Sequence, residues 1–140
     1  MMKKLQMYLG FSLIEMMMTI LILSIVTVTA IYLFSDQIKR GRRIDAVNAL
    51  LSISLAEERY RSNNTTYGSL AQVWGGVTTS AEGYYTLAIS NVTATSYTIT
   101  ATGTGTQATD VDSGGTSCAT LTLTMSSGTI TKSPAVCWPS

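Results

Sequence analysis

The segment that decides the fold reads GFSLIEMMMTILILSIVTVTAIYLF, residues 10–34. From Met16 to Phe34 it contains 19 residues without a charge, and extending it back to Phe11 gives 24 residues interrupted only by Glu15. At about 1.5 Å per residue the longer run forms a helix of roughly 36 Å, enough to cross a hydrocarbon core of about 30 Å. The sequence therefore predicts a transmembrane helix near the N-terminus.

Three kinds of N-terminal segment fit this hydrophobic run to different degrees. A secretory signal would use Lys3 and Lys4 as its basic region and Val28-Thr29-Ala30 as a cleavage site before Ile31. Its apolar region would be about 7 to 15 residues long, shorter than the run found here. A plain membrane anchor leaves Glu15 unexplained, because a carboxylate costs about 2.5 to 3.5 kcal/mol at the membrane centre and less near its edge.

The third kind accounts for the carboxylate. A short basic leader ends at Gly10, the aromatic Phe11 follows, and Glu15 stands fifth after the glycine. This arrangement resembles the class III leader of type IV pilins. The resemblance implies that a prepilin peptidase removes residues 1–10 by cutting between Gly10 and Phe11, and then methylates the new amine of Phe11.

Glu15 also has a physical reason to be present. Cleavage would create a cationic amine at Phe11, with which a carboxylate four residues later can pair in the same helix or in a neighbouring subunit. In pilins the pairing between subunits is thought to register each new subunit in the growing filament. Glu15 is therefore predicted to act in assembly.

The orientation of the membrane segment poses a conflict. The positive-inside rule would place the C-terminal side in the cytoplasm, because four basic residues outnumber the two lysines of the leader: Lys39, Arg40, Arg42 and Arg43. Against this, Cys118 and Cys137 enclose 18 residues of a small neutral domain, which is typical of a structural disulfide in an oxidising compartment. The disulfide favours a cytoplasmic N-terminus, with the domain in the periplasm before assembly and in an extracellular pilus afterwards.

The helix is predicted to continue through residues 35–62 as an amphipathic segment. Its apolar face is predicted from residues at three- and four-residue steps: Val47, Leu50, Leu51 and Leu55. Residues 63–82 contain three glycines and are predicted to form an αβ loop with a short turn at 69–73.

The remainder, residues 83–140, is predicted to be an antiparallel sheet with a C-terminal disulfide loop. Three segments alternate apolar with polar residues, which predicts three half-buried strands: Tyr85-Leu87-Ile89, Tyr97-Ile99-Ala101 and Leu121-Leu123-Met125. Ser126-Ser127-Gly128 indicates a hairpin into a fourth strand, Thr129–Lys132. A long helix packed on four antiparallel strands is an α+β arrangement similar to the pilin fold.

One departure from the family concerns the membrane half of the helix. Ser24 and Tyr32 occupy positions where family members often carry a glycine and a proline. Tyr32 keeps its amide and has no ring clash, so the helix is expected to stay continuous in the filament.

Composition argues against an enzyme. The chain has no histidine, which excludes imidazole bases, histidine-containing nucleophilic dyads and histidine-ligated zinc. Five carboxylates form no recognisable acid and base pair: Glu57, Glu58, Glu82, Asp110 and Asp112. The segment 110–115 resembles the start of a calcium loop but lacks the acidic residue required where Leu121 stands, so a polar turn is preferred. We expect no cofactor and no metal.

These features predict a structural subunit of a type IV pilus, serving adhesion, twitching motility or DNA uptake. The resemblance implies as partners other pilin subunits, a prepilin peptidase, an inner-membrane assembly platform, cytoplasmic ATPases and, before assembly, the membrane. One alternative is a pseudopilin of a type II secretion system, which shares the leader and helix.

The other alternative is a DNA-receptor minor pilin. Residues 63–140 hold one basic and three acidic side chains, so phosphate contacts would have to come from Arg59, Arg61 and Lys132 or from a partner subunit. We expect no DNA binding near physiological salt from this balance. The tyrosines that could stack on bases, Tyr84, Tyr85 and Tyr97, are predicted to pack in the core and across strands instead.

Overall fold

The computed structural model describes residues 10–139, with the backbone alone for residues 31–33. These residues form two compact units that divide between Ser35 and Asp36. Most of the predicted leader, residues 1–9, lies outside the described residues.

The N-terminal unit consists of the first part of helix α1, which runs from Leu13 to Arg61. The Ser12 carbonyl accepts the N–H groups of Glu15 and Met16 and so begins the helix. Four side-chain hydroxyl groups donate hydrogen bonds to backbone carbonyls three or four residues earlier in the helix, so they have a hydrogen-bond partner within an apolar surface. They belong to Thr19, Ser24, Thr27 and Thr29. The backbone is helical at both Ser24 and Tyr32 in the single subunit, and continuity of the helix in the filament stays a prediction. By length and composition, α1 is able to cross a membrane.

The second unit contains a four-stranded antiparallel sheet in the order β1-β2-β3-β4. The strands are β1 (Tyr85–Ser90), β2 (Ser96–Gly103), β3 (Thr120–Ser126) and β4 (Thr129–Ser133). All four predicted strands are confirmed. The two-residue turn between β3 and β4 places Ser127 at φ 48° and Gly128 at φ 83°, the left-handed conformation that tight hairpins require.

Opposite faces of the sheet differ sharply in chemistry. One face buries the large residues that the alternating pattern predicted, including Tyr97 paired across from Met125 and Ile99 paired across from Leu123. The other face aligns threonines across strands, with Thr98 opposite Thr124, Thr100 opposite Thr122 and Thr102 opposite Thr120. This second set, called here the threonine face, is uncharged.

The part of α1 from Asp36 onward packs on the apolar face of the sheet. Ala46, Leu50 and Ile53 are fully buried there. The prediction that Leu51 and Leu55 belong to this face is wrong, because they are 45% and 55% exposed. Each residue turns the helix by about 100°, so a face centred on 46, 50, 53 and 57 turns those two leucines away. Hydrophobicity alone missed this because the buried face also contains Arg43, Ser54 and Glu57.

The αβ loop contains a five-residue helix, α2 (Leu70–Trp74), at the predicted short turn. The loop just before α2 is held to α1 through Glu57, whose Oε2 accepts the N–H of Gly68 at 2.8 Å. A Cβ at Gly68 would lie 2.6 Å from Val73 Cγ1, so the close approach needs glycine. Burial raises the pKa of Glu57, an effect that the Gly68 hydrogen bond opposes.

Candidate nucleic-acid interface

The predicted assembly residues all lie at the start of the N-terminal unit. Gly10 and Phe11 precede α1, and the Phe11 side chain is 79% exposed. Glu15 lies in the first turn of the helix, also exposed. Leader cleavage, methylation of Phe11 and pairing of Glu15 stay predictions.

A disulfide joins Cys118 to Cys137, the two cysteines predicted to pair. Cys118 lies just before β3, whereas Cys137 ends a short 3-10 turn, Ala135–Cys137, which follows β4. Both cysteines are buried. The bond therefore fixes the position of the next residue, Trp138, relative to the sheet.

A buried polar cluster connects α1 to the loop between β2 and β3. The Arg43 guanidinium donates from Nε and Nη2 to the two carboxylate oxygens of Asp110, at 2.6 and 2.9 Å. Gln107 Nε2 donates to the Tyr85 hydroxyl at 2.8 Å and to Asp110 Oδ2 at 3.0 Å. We call Arg43, Tyr85, Gln107 and Asp110 the buried clamp.

Electrostatics within the buried clamp agree with its geometry. The hydrogen bonds that Arg43 donates to Asp110 raise the pKa of Arg43 despite the opposing effect of burial. Burial raises the pKa of Tyr85 to about 12, although the Gln107 hydrogen bond works in the other direction. The clamp thus holds an ion pair and a neutral phenol.

The predicted polar turn after Asp110 is confirmed. Asp112 Oδ1 accepts the N–H of Thr116 at 2.6 Å, and this hydrogen bond to the Asp112 carboxylate closes the turn. Asp110 itself is bound to Arg43. Across residues 10–139, no three His, Cys, Asp or Glu residues group in a way that could hold a metal ion.

Most of the basic run on α1 is engaged with the β2–β3 loop. Lys39 donates to Thr109, and Arg42 donates to Thr106 Oγ1 at 2.9 Å while lying 4.4 Å from the Tyr84 ring centroid. Arg43 belongs to the buried clamp. Arg40 is exposed and, within the part of the chain that the structure describes, makes no hydrogen bond.

Arg40 shares a small groove of about 210 Å³ with residues of the C-terminal tail, among them Val136, Trp138 and Pro139. Lys132, exposed on the edge strand β4, places its ammonium 5.0 Å from the Trp138 ring centroid. The disulfide and the fold thus bring together two exposed cations, a partly exposed indole and an exposed valine. We call Arg40, Lys132, Val136 and Trp138 the Trp138 patch.

The other predicted phosphate contacts lie at the far end of α1. Arg61 donates to the carbonyl oxygens of Ala94 and Asn64, at 3.1 and 2.6 Å. Its guanidinium is therefore engaged in hydrogen bonds to the two neighbouring loops. Arg59 is exposed but follows Glu57 and Glu58 along the helix. This end of the domain therefore carries no excess of positive charge.

A larger groove, about 850 Å³, runs between α1 and the αβ loop. Its walls are mainly apolar and include Trp74 and Leu87, but it also contains Asp45 and Glu82. Asp45 is buried and accepts the Glu82 N–H at 3.2 Å. Two carboxylates make this groove unsuitable for a polyanion.

The aromatic rings in the second unit differ in how far a ligand can reach them. Tyr85 and Tyr97 are fully buried, which confirms that they pack in the core. The ring of Tyr84 is covered by Arg42, and Tyr67 packs edge-on against Tyr97 with centroids 4.6 Å apart.

The sequence indicates Lys132 as a candidate phosphate contact but gives no indication that Arg40 and Trp138 lie near it. In the sequence Arg40 stands in a basic run beyond the membrane segment, and Trp138 stands 98 positions later. The available signal in the sequence is an aromatic residue directly after a cysteine that is predicted to pair.

Two family models match the chain. One, described as "Type IV minor pilin ComP, DNA uptake sequence receptor", matches residues 33–122, which is more than half of the chain. The other, described as "Prokaryotic N-terminal methylation motif", matches residues 6–31 and includes the predicted leader junction. A search of the curated proteins finds no match.

Proposed function

This chain belongs to the family of type IV minor pilins described as DNA uptake sequence receptors, and from that premise we propose that it is a pilus subunit that receives DNA at the Trp138 patch. The alternative that the charge balance disfavoured thus becomes the preferred function. On this proposal the charge balance of residues 63–140 understates the positive surface, because Arg40 comes from α1 and lies with Lys132 near Trp138 only in the folded domain.

The pilus role rests on the first part of α1. Its apolar side chains remain exposed in the single subunit, for example Leu13 at 77% and Leu23 at 67%, and they require lipid or other apolar helices around them. The subunit would wait in the inner membrane and then enter the filament through this helix. Other pilins, a prepilin peptidase and an assembly platform are the partners proposed with this role, and the family is a structural one rather than a family of enzymes.

The DNA role is carried by the composition of the Trp138 patch. DNA binding combines cations that neutralise phosphates with apolar or aromatic surface that contacts bases. Arg40 and Lys132 supply the charge, while Val136 and Trp138, whose ring lies under the Lys132 ammonium, supply apolar surface. The nearby acid Asp110 is neutralised by Arg43 at 2.6 Å and does not oppose the patch.

Leader processing gives a direct test of the pilus role. We expect the protein purified from its native membrane to begin at methylated Phe11, and a Gly10→Val variant to retain residues 1–10 because the peptidase can no longer cut. Intact-mass measurement and N-terminal sequencing check both forms. A wild-type chain that begins at Ile31, or that keeps Met1, would contradict processing as a pilin.

Salt dependence tests the DNA role. We expect Arg40→Gln and Lys132→Gln each to weaken binding and to reduce the slope of log affinity against log salt by about 0.7 to 0.9, since each cation releases counterions from one phosphate. Fluorescence anisotropy of a labelled oligonucleotide between 50 and 200 mM salt measures both effects.

Arg59→Gln is the matched control for this test, because it removes another exposed cation of α1 that lies outside the patch. It should leave the slope nearly unchanged. Equal effects of all three substitutions would mean that DNA responds only to net charge, and the Trp138 patch would not be the binding site.

A further inference from the structure

The larger groove, which runs between α1 and the αβ loop, is not used in the proposed DNA binding. Three of its apolar lining residues are largely exposed, with Ile38, Ile44 and Val77 at 44, 54 and 50%. Its volume of about 850 Å³ lies within the usual range of ligand-binding clefts. An exposed apolar surface of this kind gains free energy when an apolar partner covers it.

The lining of this groove includes a buried carboxylate with one unused oxygen. Asp45 is only 9% exposed, and its Oδ1 accepts the Glu82 N–H at 3.2 Å. Its Oδ2 has no hydrogen-bond partner among the described residues. A buried carboxylate oxygen without a donor costs free energy, and a cationic donor offsets that cost more than a neutral one does.

The other charged residues of the groove favour a cationic occupant as well. Glu82 adds a second carboxylate to the lining, and Arg42 is the basic residue in it. The Arg42 guanidinium donates to Thr106 Oγ1 and lies over the Tyr84 ring, and in the described chain it makes no hydrogen bond to Asp45. The groove therefore combines apolar walls with an excess of negative charge, which attracts a cation.

We propose that the larger groove binds an extended segment of another protein, whose lysine donates to Asp45 and whose flanking apolar side chains cover the exposed walls. This site is separate from the Trp138 patch, and the inference does not depend on DNA binding. A lysine ammonium is a point charge that needs one acceptor oxygen, whereas the arginine fork gains most from two free oxygens. Because Oδ1 of Asp45 already accepts a backbone N–H, lysine fits better than arginine.

Polar groups beside the apolar walls favour a peptide over a small amine. Asn48 and Ser52 both line the groove from α1, and both are exposed. Their amide and hydroxyl groups can form hydrogen bonds with the C=O and N–H groups of an extended backbone. A small amine would leave these groups and most of the groove without a contact.

Peptide binding to the full-length protein in nanodiscs of zwitterionic lipid tests the inference. The probe is a short, end-blocked, dye-labelled peptide with a central lysine between valines and leucines. In a matched peptide, norleucine replaces the lysine, which keeps the apolar chain and removes the ammonium. We expect fluorescence anisotropy, corrected for empty nanodiscs, to show at least about 10-fold tighter binding of the lysine peptide.

The Asp45→Asn variant provides the second measurement. It removes the charge but keeps an oxygen that can accept the Glu82 N–H, and near-ultraviolet circular dichroism checks that the domain is folded. We expect it to bind the lysine peptide at least about 10-fold more weakly and to change binding of the norleucine peptide much less. Asp36→Asn is the matched control, because it removes an exposed carboxylate of α1 outside the groove and should leave both affinities nearly unchanged.

Several results would overturn the inference. Equal binding of the lysine and norleucine peptides to the wild type would show that Asp45 binds no cation, and this comparison needs no variant to fold. Equal losses from Asp45→Asn and Asp36→Asn would mean that the peptide responds only to net charge. If butylamine displaces the lysine peptide at concentrations that match the peptide's own affinity, the occupant is a small amine rather than a peptide.

Discussion

Replacing Asp110 with asparagine is expected to destabilise the second unit by about 3 to 5 kcal/mol, the usual cost of removing one partner from a buried ion pair. The substitution leaves the Arg43 guanidinium, only 7% exposed, without a counter-charge. For a domain of about 100 residues this lowers the midpoint of thermal unfolding by roughly 12 °C or more. Near-ultraviolet circular dichroism during heating measures the change.

A matched control for this prediction is Asp36→Asn, which removes an exposed carboxylate from the same part of α1 and should change the midpoint by at most a few degrees. Replacing both members of the pair, as Arg43→Met with Asp110→Leu, should recover much of the loss because no uncompensated charge stays buried. If Asp110→Asn lowers the midpoint of thermal unfolding no more than Asp36→Asn does, the buried clamp contributes little to the stability of the domain.

Removing the disulfide is expected to have a combined effect on stability and DNA binding. The closed loop spans a sequence separation of 19, for which the chain-entropy model gives about 3 kcal/mol. A variant with both Cys118→Ser and Cys137→Ser should lose that stability. It should also lose most DNA affinity, because Trp138 directly follows Cys137 and would no longer be held beside Arg40 and Lys132.

Two measurements separate these effects. Thermal unfolding reports stability, and anisotropy with a labelled oligonucleotide well below the unfolding midpoint reports binding by folded protein. The Thr100→Val variant provides a control that changes the threonine face on β2, away from the tail. If the double serine variant is folded and binds DNA like the wild type, the disulfide does not position the binding site.

Much of the fold could be predicted because it depends on local patterns. The apolar run of α1, the alternation in β1 to β3 and the Ser127-Gly128 turn each depend on neighbours in the sequence. The assignment of Leu51 and Leu55 failed because it required knowledge of the surface on which α1 packs. The Glu57 and Ser54 positions are buried only because Gly68 and the Tyr97 hydroxyl provide hydrogen bonds from distant segments.

The candidate site was less predictable for the same reason. Arg40 and Trp138 are almost a hundred positions apart, and their proximity depends on the helix, the strand order and the disulfide together. Likewise, Asp110 looked like a ligand for calcium or a turn residue until the fold placed Arg43 against it. Long-range pairing of charges has no periodic signature in the sequence.

The threonine face has a consequence for how the subunit attracts a polyanion. Hydroxyl groups such as those of Thr98, Thr100 and Thr102 bind water well but carry no net charge, so this wide surface neither repels nor captures DNA. Arg40 and Lys132 lie on the opposite side of the sheet, toward α1, so positive charge and neutral surface are separated within one subunit. In a filament composed of many subunits, that contrast would direct a passing strand to one small area rather than spread it along the fibre.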